Sequence, residues 1–212
     1  MWLRRGIIAS LVVAIVIPLA FTAIVFPLTV DVPQYDEWSR IPLLEAYYEH
    51  RPVLPLILQP YNGHIIAVPR AILLVTAVAT HWNLRAEILL CYLVAFTTCA
   101  VLVLMLRDSG RHTLLLAAPV TMMVFSFMNF AVFLNAFPLC EHLCLLGLVA
   151  TIFALTRPAI SGRHVAAAMF AAAIATFSWG GGIVVWPIGA VALLARCRWV
   201  SVTTWCAPAI AA

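Results

Sequence analysis

The chain has 212 residues, of which 65% are hydrophobic and only 9% are charged. Soluble domains carry about 25% charged residues, so this composition excludes a water-soluble globular protein and predicts an integral membrane protein. The net charge of +4 comes from arginine alone, since the chain contains no lysine. Without a solvated basic face that carries interleaved aromatic residues, this charge does not indicate a nucleic-acid partner.

The charged residues fall into two groups along the chain. Eight of the twelve arginines lie in pairs between apolar segments: Arg4/Arg5, Arg107/Arg111, Arg157/Arg163 and Arg196/Arg198. Six of the eight acids lie in residues 31–87: Asp31, Asp36, Glu37, Glu45, Glu49 and Glu87. Short loops that carry arginine stay in the cytoplasm. We therefore expect a multi-pass inner-membrane protein with a cytoplasmic N-terminus and an outward-facing acidic segment.

The first apolar run covers residues 6–30 and follows Arg4 and Arg5. A secretory signal peptide has an apolar core of about 7–15 residues, which is shorter than this run. The run therefore predicts a signal-anchor helix that crosses the membrane with its N-terminus inside.

An outward loop is predicted over residues 31–85. Its part 65–80 is apolar but contains Pro69 and Arg70, so it is either a crossing or an interfacial helix. If both 65–80 and 86–106 crossed, Arg107 and Arg111 would lie outside, against the orientation rule. We therefore favour interfacial helices over 41–80 that lie on the outer leaflet.

The remaining apolar runs complete a single all-α transmembrane domain over 1–212. We expect six or seven crossings: 6–30, 86–106, 112–130, 138–156, 165–178, 183–195 and 199–212. One tilted helix over 165–195 is the alternative to the fifth and sixth, because each is shorter than the usual lower limit of about 17 residues for a membrane span. The last run stops without a polar tail, so we expect the chain to be incomplete at its C-terminus.

The cysteines predict neither a disulfide framework nor a metal site. Most of the six lie inside apolar runs, where a thiol acts as a small hydrophobe. The stretch from Cys140 to Cys144 contains Cys, Glu and His, but no second ligand cluster lies near it in the sequence.

Asp36 and Glu37 form the main acidic pair, within Gln34-Tyr35-Asp36-Glu37-Trp38-Ser39-Arg40. Such a pair at a membrane surface has three uses. One acid can act as a general base on an acceptor hydroxyl, the pair can bind a divalent cation, or both can be solvated loop charges. These seven residues do not decide between the three.

Arginines on the translocated side need a partner. The outward loop contains four: Arg40, Arg51, Arg70 and Arg85. They either pair with acids such as Glu45, Glu49 and Glu87 or hold a phosphate, whose oxygens fit the guanidinium group. His50 and His64 stand near these arginines, which favours a neutral imidazole that donates a hydrogen bond or acts as a base.

Glu141 and His142 lie near the predicted outer end of the fourth crossing. An ionisable residue at membrane depth is a candidate for function, although a position near a helix end also lets it reach the interface. We place Glu141 among the candidates for substrate or lipid-phosphate binding.

These motifs resemble those of the GT-C glycosyltransferases, in particular the bacterial members related to dolichyl-phosphate-mannose mannosyltransferases and to families 39 and 83. The resemblance starts with the long first helix and the outward Tyr-Asp-Glu core at Tyr35–Glu37. The runs 62–70 and 82–87, and Ser178-Trp179-Gly180-Gly181-Gly182 followed by Trp186-Pro187, are similar as well. Together these stretches sample most of residues 1–195.

The resemblance implies a function and roles for several residues. The donor would be a polyprenyl-phosphate-linked sugar, transferred with inversion to a glycan, lipid or protein acceptor on the outer face. Asp36 would be the general base, and Glu37 would orient the acceptor or a divalent cation. Arg51, His64 and Arg70 would bind the donor phosphate.

Two departures from the family keep rival functions open. Family members are longer, and residues 129–135 lack the Trp-Gly-Phe-Gln signature expected at the outer end of the third crossing. A non-catalytic membrane scaffold or inactive remnant is therefore one alternative. A transporter or flippase subunit is another, although it predicts ionisable residues in the middle of facing helices, and the apolar runs contain almost none.

Overall fold

The computed structural model describes residues 2–195 and 202–206, and most of this part of the chain is helical. The α-helices are α1 (Trp2–Val25), α2 (Ile41–Tyr48), α3 (Leu54–Ile57), α4 (Ala67–Thr80), α5 (Leu84–Ser109), α6 (Ala117–Val124), α7 (Leu139–Leu155), α8 (Gly162–Thr176) and α9 (Val185–Leu194). The 3₁₀-helices are Phe26–Leu28, Tyr35–Arg40, Arg111–Leu116, Phe127–Phe133 and Gly180–Val184. Strands β1 (Pro60–Tyr61) and β2 (His64–Ile65) form an antiparallel hairpin. The expected all-α fold is confirmed. Most of the predicted crossing 199–212, like Arg196 and Arg198, lies outside the described residues.

Two helices in the described part of the chain are long and apolar enough to cross a membrane. They are α1, with the turn that follows it, and α5, with mean hydropathies of 2.8 and 2.6. The segments Arg111–Val124 and Phe127–Phe133 are together long and apolar enough to form a third span. They are bent by 57° relative to each other. Residues 112–130 are therefore not the continuous helix that their hydropathy predicts. The helical hydrogen bonding restarts at Ser126, whose hydroxyl accepts a bond from the Met128 N–H.

Several helix ends meet at one end of the bundle, which we call the arginine end. The Ser10 hydroxyl near the start of α1 donates to the Leu115 carbonyl at 3.0 Å, which places α1 beside the segment that precedes α6. Asp108 near the end of α5 pairs with Arg107 at 3.3 Å and also with Arg157, just beyond α7. This end therefore gathers the predicted cytoplasmic arginines from Arg4 to Arg163.

The opposite end, which we call the acidic end, holds the polar segment. The Asp31 carboxylate accepts the Leu84 N–H at the start of α5 at 2.7 Å, which ties the exit of α1 to α5. The Val68 N–H at the start of α4 donates to the Phe177 carbonyl, just past α8, at 3.1 Å. Because α4 also ends next to the start of α5, both ends of α4 lie at the acidic end, and α4 covers this end of the bundle.

Close helix packing at small residues joins α7, α8 and α9. A Cβ atom added at Gly147 would lie 2.6 Å from the Ala171 carbonyl oxygen, so α7 and α8 approach each other backbone to backbone. Helix α8 ends at Thr176, and a 3₁₀ turn over Gly180–Val184 leads into α9. Residues 165–195 therefore form two helices and not the single tilted helix considered as the alternative.

Candidate functional site at the acidic end

Glu37 is buried and holds the 3₁₀-helix Tyr35–Arg40 in place. Its side chain is 1% exposed. Oε2 accepts the Gln34 N–H at 2.6 Å, and Oε1 accepts the Ala136 N–H, just before α7, also at 2.6 Å. Both oxygens are therefore occupied by backbone donors. The predicted role of Glu37 in orienting an acceptor or an ion is not the one that this geometry favours; Glu37 is a positioning residue.

A buried ion pair anchors the other end of the same 3₁₀-helix. The Arg40 guanidinium lies 2.7 Å from the Glu87 carboxylate, and the two side chains are 5% and 0% exposed. The Arg40 guanidinium also lies 5.9 Å from the centre of the Trp82 ring. Of the two explanations for an outward arginine, ion pairing with an acid is therefore the one that applies to Arg40.

Asp36, in contrast, is exposed and faces Tyr61 of the hairpin. The Tyr61 ring packs 5.3 Å from the Phe137 ring, and the Arg70 guanidinium lies 6.0 Å from its centre. Burial, the largest cause, raises the pKa of Tyr61 to about 12. A hydrogen bond with Asp36 and the negative charge of Asp36 are the next largest causes. Tyr61 therefore stays protonated at neutral pH. We call Asp36, Tyr61 and Arg70 the Asp36 cluster.

Arg70 is the cation of the Asp36 cluster. Its Nη1 donates to the carbonyls of Leu56, at 3.1 Å, and Gln59, which closes the C-terminal turn of α3. Its Nε and Nη2 bond no residue in the described part of the chain. Nη1 thus has a structural role, while Nε and Nη2 are available to bind an anion.

His64 lies on the same hairpin but takes part in a different contact. Its ring packs edge-on against Trp179, with 4.9 Å between ring centres, and Nδ1 lies 3.2 Å from the Asn62 carbonyl oxygen. Its Nε2 is buried without a hydrogen-bond partner among the described residues. His64 borders a cavity of about 560 Å³ between the hairpin and the turn from α8 to α9, which Trp186 also lines.

The other two predicted phosphate ligands do not join the Asp36 cluster. Arg51 is exposed and pairs with Glu49 at 2.6 Å. Glu141 is exposed in the first turn of α7 and lines a separate groove with His142. The structure therefore places Asp36 and Arg70 each beside Tyr61, places His64 nearby on the hairpin, and leaves Arg51 and Glu141 outside.

The described residues contain no group of three or more His, Cys, Asp or Glu side chains arranged to hold a metal ion. Cys140 and Cys144 therefore have no third ligand of these types within that part of the chain. The same holds for Asp36, so the divalent-cation role has no ligand set there.

Tyr61 is the member of the Asp36 cluster that the sequence analysis missed. The signal for it was present, because Asn-Gly between two short extended segments is a strong hairpin motif. Asn62 and Gly63 have φ values of 48° and 82°, the left-handed conformation that such a turn requires. A two-residue hairpin turn places Tyr61 directly opposite His64.

Neither models of known protein families, nor curated proteins, nor solved structures match this chain.

The Asp36→Asn substitution tests the contact between Asp36 and Tyr61. We expect the pKa of Tyr61 to fall from about 12 towards 10, without reaching 10, because burial is the larger cause and remains. Because the pKa of Tyr61 is higher in the folded state, its contribution to stability is fully present below pH 10. This contribution is lost as the pH rises through 12. Phenolate absorbance during an alkaline titration, with Tyr61→Phe to identify the signal, measures the shift. An unchanged pKa would contradict the contact.

Proposed function

We propose that this chain is a membrane glycosyltransferase of the GT-C type. It transfers a sugar from a polyprenyl-phosphate donor to an acceptor on the outer face of the membrane, and Asp36 is its general base. One observation carries the proposal: the two neighbouring acids lie in different environments. Glu37 is buried and accepts a backbone N–H on each oxygen, whereas Asp36 is exposed beside Tyr61, a neutral phenol whose ring also contacts Arg70.

A general base must be held in one position and must still reach its substrate. The 3₁₀-helix that carries Asp36 is fixed at its start by the two bonds of Glu37 and at its end by the Arg40–Glu87 pair. Asp36 therefore extends into solvent from a rigid segment. A solvated loop charge would not need such an anchored segment, which favours a functional carboxylate.

The proposed reaction is a direct displacement at the anomeric carbon. Asp36 takes the proton of the acceptor hydroxyl, and the acceptor oxygen forms a bond to the anomeric carbon on the face opposite the leaving group. The bond from that carbon to the phosphate oxygen breaks, and polyprenyl phosphate leaves with the electron pair. The free nitrogens of Arg70 stabilise the charge on this phosphate, and the configuration of the sugar inverts.

The arrangement of the bundle supports this location. The arginine end fits the cytoplasmic side, so the acidic end fits the outer side. Helix α4 lies across the acidic end and carries Arg70 in its first turn. A polyprenyl chain lies in the bilayer with its phosphate at the interface, which is the depth expected of such a helix.

A non-catalytic membrane scaffold is the second candidate. The observation that favours it is that the buried charged groups beside Asp36 already have structural contacts: Arg40 pairs with Glu87, and Glu37 accepts two backbone N–H groups. The two candidates differ in one testable respect: a scaffold has no need of the Asp36 carboxylate, so its replacement would have no effect on function.

The proposal predicts different effects for Arg70 and Asp36. In native mass spectrometry of the purified protein, we expect Arg70→Gln to weaken polyprenyl phosphate binding about tenfold or more, through loss of a charge-assisted contact. Asp36→Asn should bind the lipid like the wild type. With polyprenyl-phosphate hexoses and pentoses as donors and a membrane lipid extract as acceptor, it should release polyprenyl phosphate about a hundredfold more slowly.

Arg51→Ala is the matched control, because it removes an exposed arginine whose ion pair, among the described residues, is with Glu49 alone, and it should leave binding unchanged. Far-UV circular dichroism verifies that Arg70→Gln keeps its helices. Binding of polyprenyl phosphate no tighter than that of phosphatidylglycerol, or equal turnover by wild type and Asp36→Asn, would contradict the transferase and leave the scaffold.

A further inference from the structure

A groove of about 450 Å³ runs along α7, and no residue of the Asp36 cluster lines it. Its walls come from α5, α6, the 3₁₀-helix Phe127–Phe133 and α7. Most of its lining is apolar and extends towards the arginine end: Leu102, Val120, Met123, Val124, Leu145 and Val149. This part offers only hydrocarbon contacts.

The end of the groove nearest the acidic end is polar. Asn129, Glu141 and His142 line it, and the last two lie in the first turn of α7. His142 is only 8% exposed, and its Nε2 has no hydrogen-bond partner in the described part of the chain. Buried polar atoms in folded proteins are nearly always hydrogen-bonded, so this nitrogen points to a missing partner.

The polar end accepts hydrogen bonds and carries negative charge. Glu141 forms no ion pair within the described residues, and no arginine lines the groove. A carboxylate without a neighbouring cation has no positive charge to pair with a phosphate, so the role in lipid-phosphate binding suggested for Glu141 does not fit its position. The tautomer of His142 that is protonated on Nδ1 presents Nε2 as a further acceptor, and the Asn129 amide oxygen is a third.

We propose that this groove binds a bilayer lipid whose headgroup carries a primary ammonium, of the phosphatidylethanolamine type. An ammonium group has three N–H donors, which matches the carboxylate of Glu141, Nε2 of His142 and the amide oxygen of Asn129. The lipid chains lie along the apolar part of the groove. A second groove of about 530 Å³, between α1 and α5, is lined almost entirely by apolar residues and lacks such a polar end. The proposal goes beyond the proposed transferase activity and does not depend on it.

Native mass spectrometry of the purified full chain in a neutral detergent tests the proposal with four lipids. Phosphatidylethanolamine supplies the primary ammonium, and phosphatidylcholine has the same charge without N–H donors. Phosphatidylglycerol and a diglucosyl diacylglycerol supply hydroxyl groups. We expect phosphatidylethanolamine to bind at least about tenfold more tightly than the other three lipids. This difference corresponds to one charge-assisted hydrogen bond that the other headgroups cannot form.

The Glu141→Gln variant removes the charge with little change of shape, and we expect it to lose this preference. Glu45→Gln is the matched control, because Glu45 is an exposed acid of α2 that does not line the groove. Leu145→Trp fills the apolar part and should weaken phosphatidylethanolamine binding independently of charge. Equal binding of phosphatidylethanolamine and phosphatidylcholine, tighter binding of the glycolipid, or an unchanged preference in Glu141→Gln would each overturn the proposal. None of these outcomes bears on the turnover of Asp36 variants.

Discussion

Glu87→Ala is expected to lower the free energy of unfolding by about 3–5 kcal/mol, because it leaves the Arg40 guanidinium buried without its counter-charge. Arg40 is 5% exposed, and its contact with the Trp82 ring cannot replace a carboxylate. Since this pair also fixes the 3₁₀-helix that presents Asp36, activity at the acidic end should fall together with stability. Unfolding in detergent followed by circular dichroism measures the effect.

Glu49→Ala is the matched control, because it also breaks an Arg–Glu pair, at 2.6 Å, but one whose side chains are 54% and 61% exposed. Exposed pairs contribute no more than about 1 kcal/mol. A double variant, Arg40→Met with Glu87→Leu, should recover most of the stability that Glu87→Ala loses, because it removes both buried charges. Equal losses for Glu87→Ala and Glu49→Ala would show that the Arg40–Glu87 pair is solvated.

Gly182→Ala is expected to destabilise the protein by about 3 kcal/mol or more through overpacking. A Cβ atom at Gly182 would lie 1.9 Å from the Ala175 carbonyl oxygen at the end of α8. Because this contact is with the backbone, relief requires the turn between α8 and α9 to move. That turn contacts His64 through Trp179 and Gly180, so the hairpin should shift as well. A thermal melt in detergent measures the stability loss.

The neighbouring Gly181 provides the control for this prediction. The nearest atom to an added Cβ at Gly181 is Cδ1 of Trp179 at 3.7 Å, an ordinary contact. Neither glycine has a positive φ, so the two substitutions differ in available space and not in backbone strain. We expect Gly181→Ala to change stability by no more than about 0.5 kcal/mol. Similar melting temperatures for the two variants would contradict the close approach at Gly182.

Hydropathy and charge alone predicted much of the fold, because both are local properties of the chain. The apolar runs 6–30 and 86–106 correspond to α1 and α5, which begin and end within a few residues of them. Pro27 lies two residues after the end of α1, as expected of a residue that lacks the amide hydrogen needed to continue a helix. The break at Ser126 was not predicted, since its flanking residues are as apolar as the helices on either side.

The roles of individual acids could not be predicted, because they depend on distant contacts. Asp36 and Glu37 are equivalent by composition and position. What distinguishes them is a hydrogen bond from the Ala136 N–H to Glu37, across 99 residues of sequence. The pairing of Arg40 with Glu87 was likewise one of several combinations. The grouping of Asp36 with Arg70 depends on the hairpin that places Tyr61 between them.

The same long-range bond has a consequence for the order of biosynthesis. Glu37 leaves the ribosome 99 residues before its partner Ala136, which corresponds to roughly 5–20 s of translation. The interval between the synthesis of Val68 and that of its partner Phe177 is longer still. The outward segment is therefore made early but is locked only when later helices have been inserted, and during this interval its acids depend on water or on the insertion machinery for solvation.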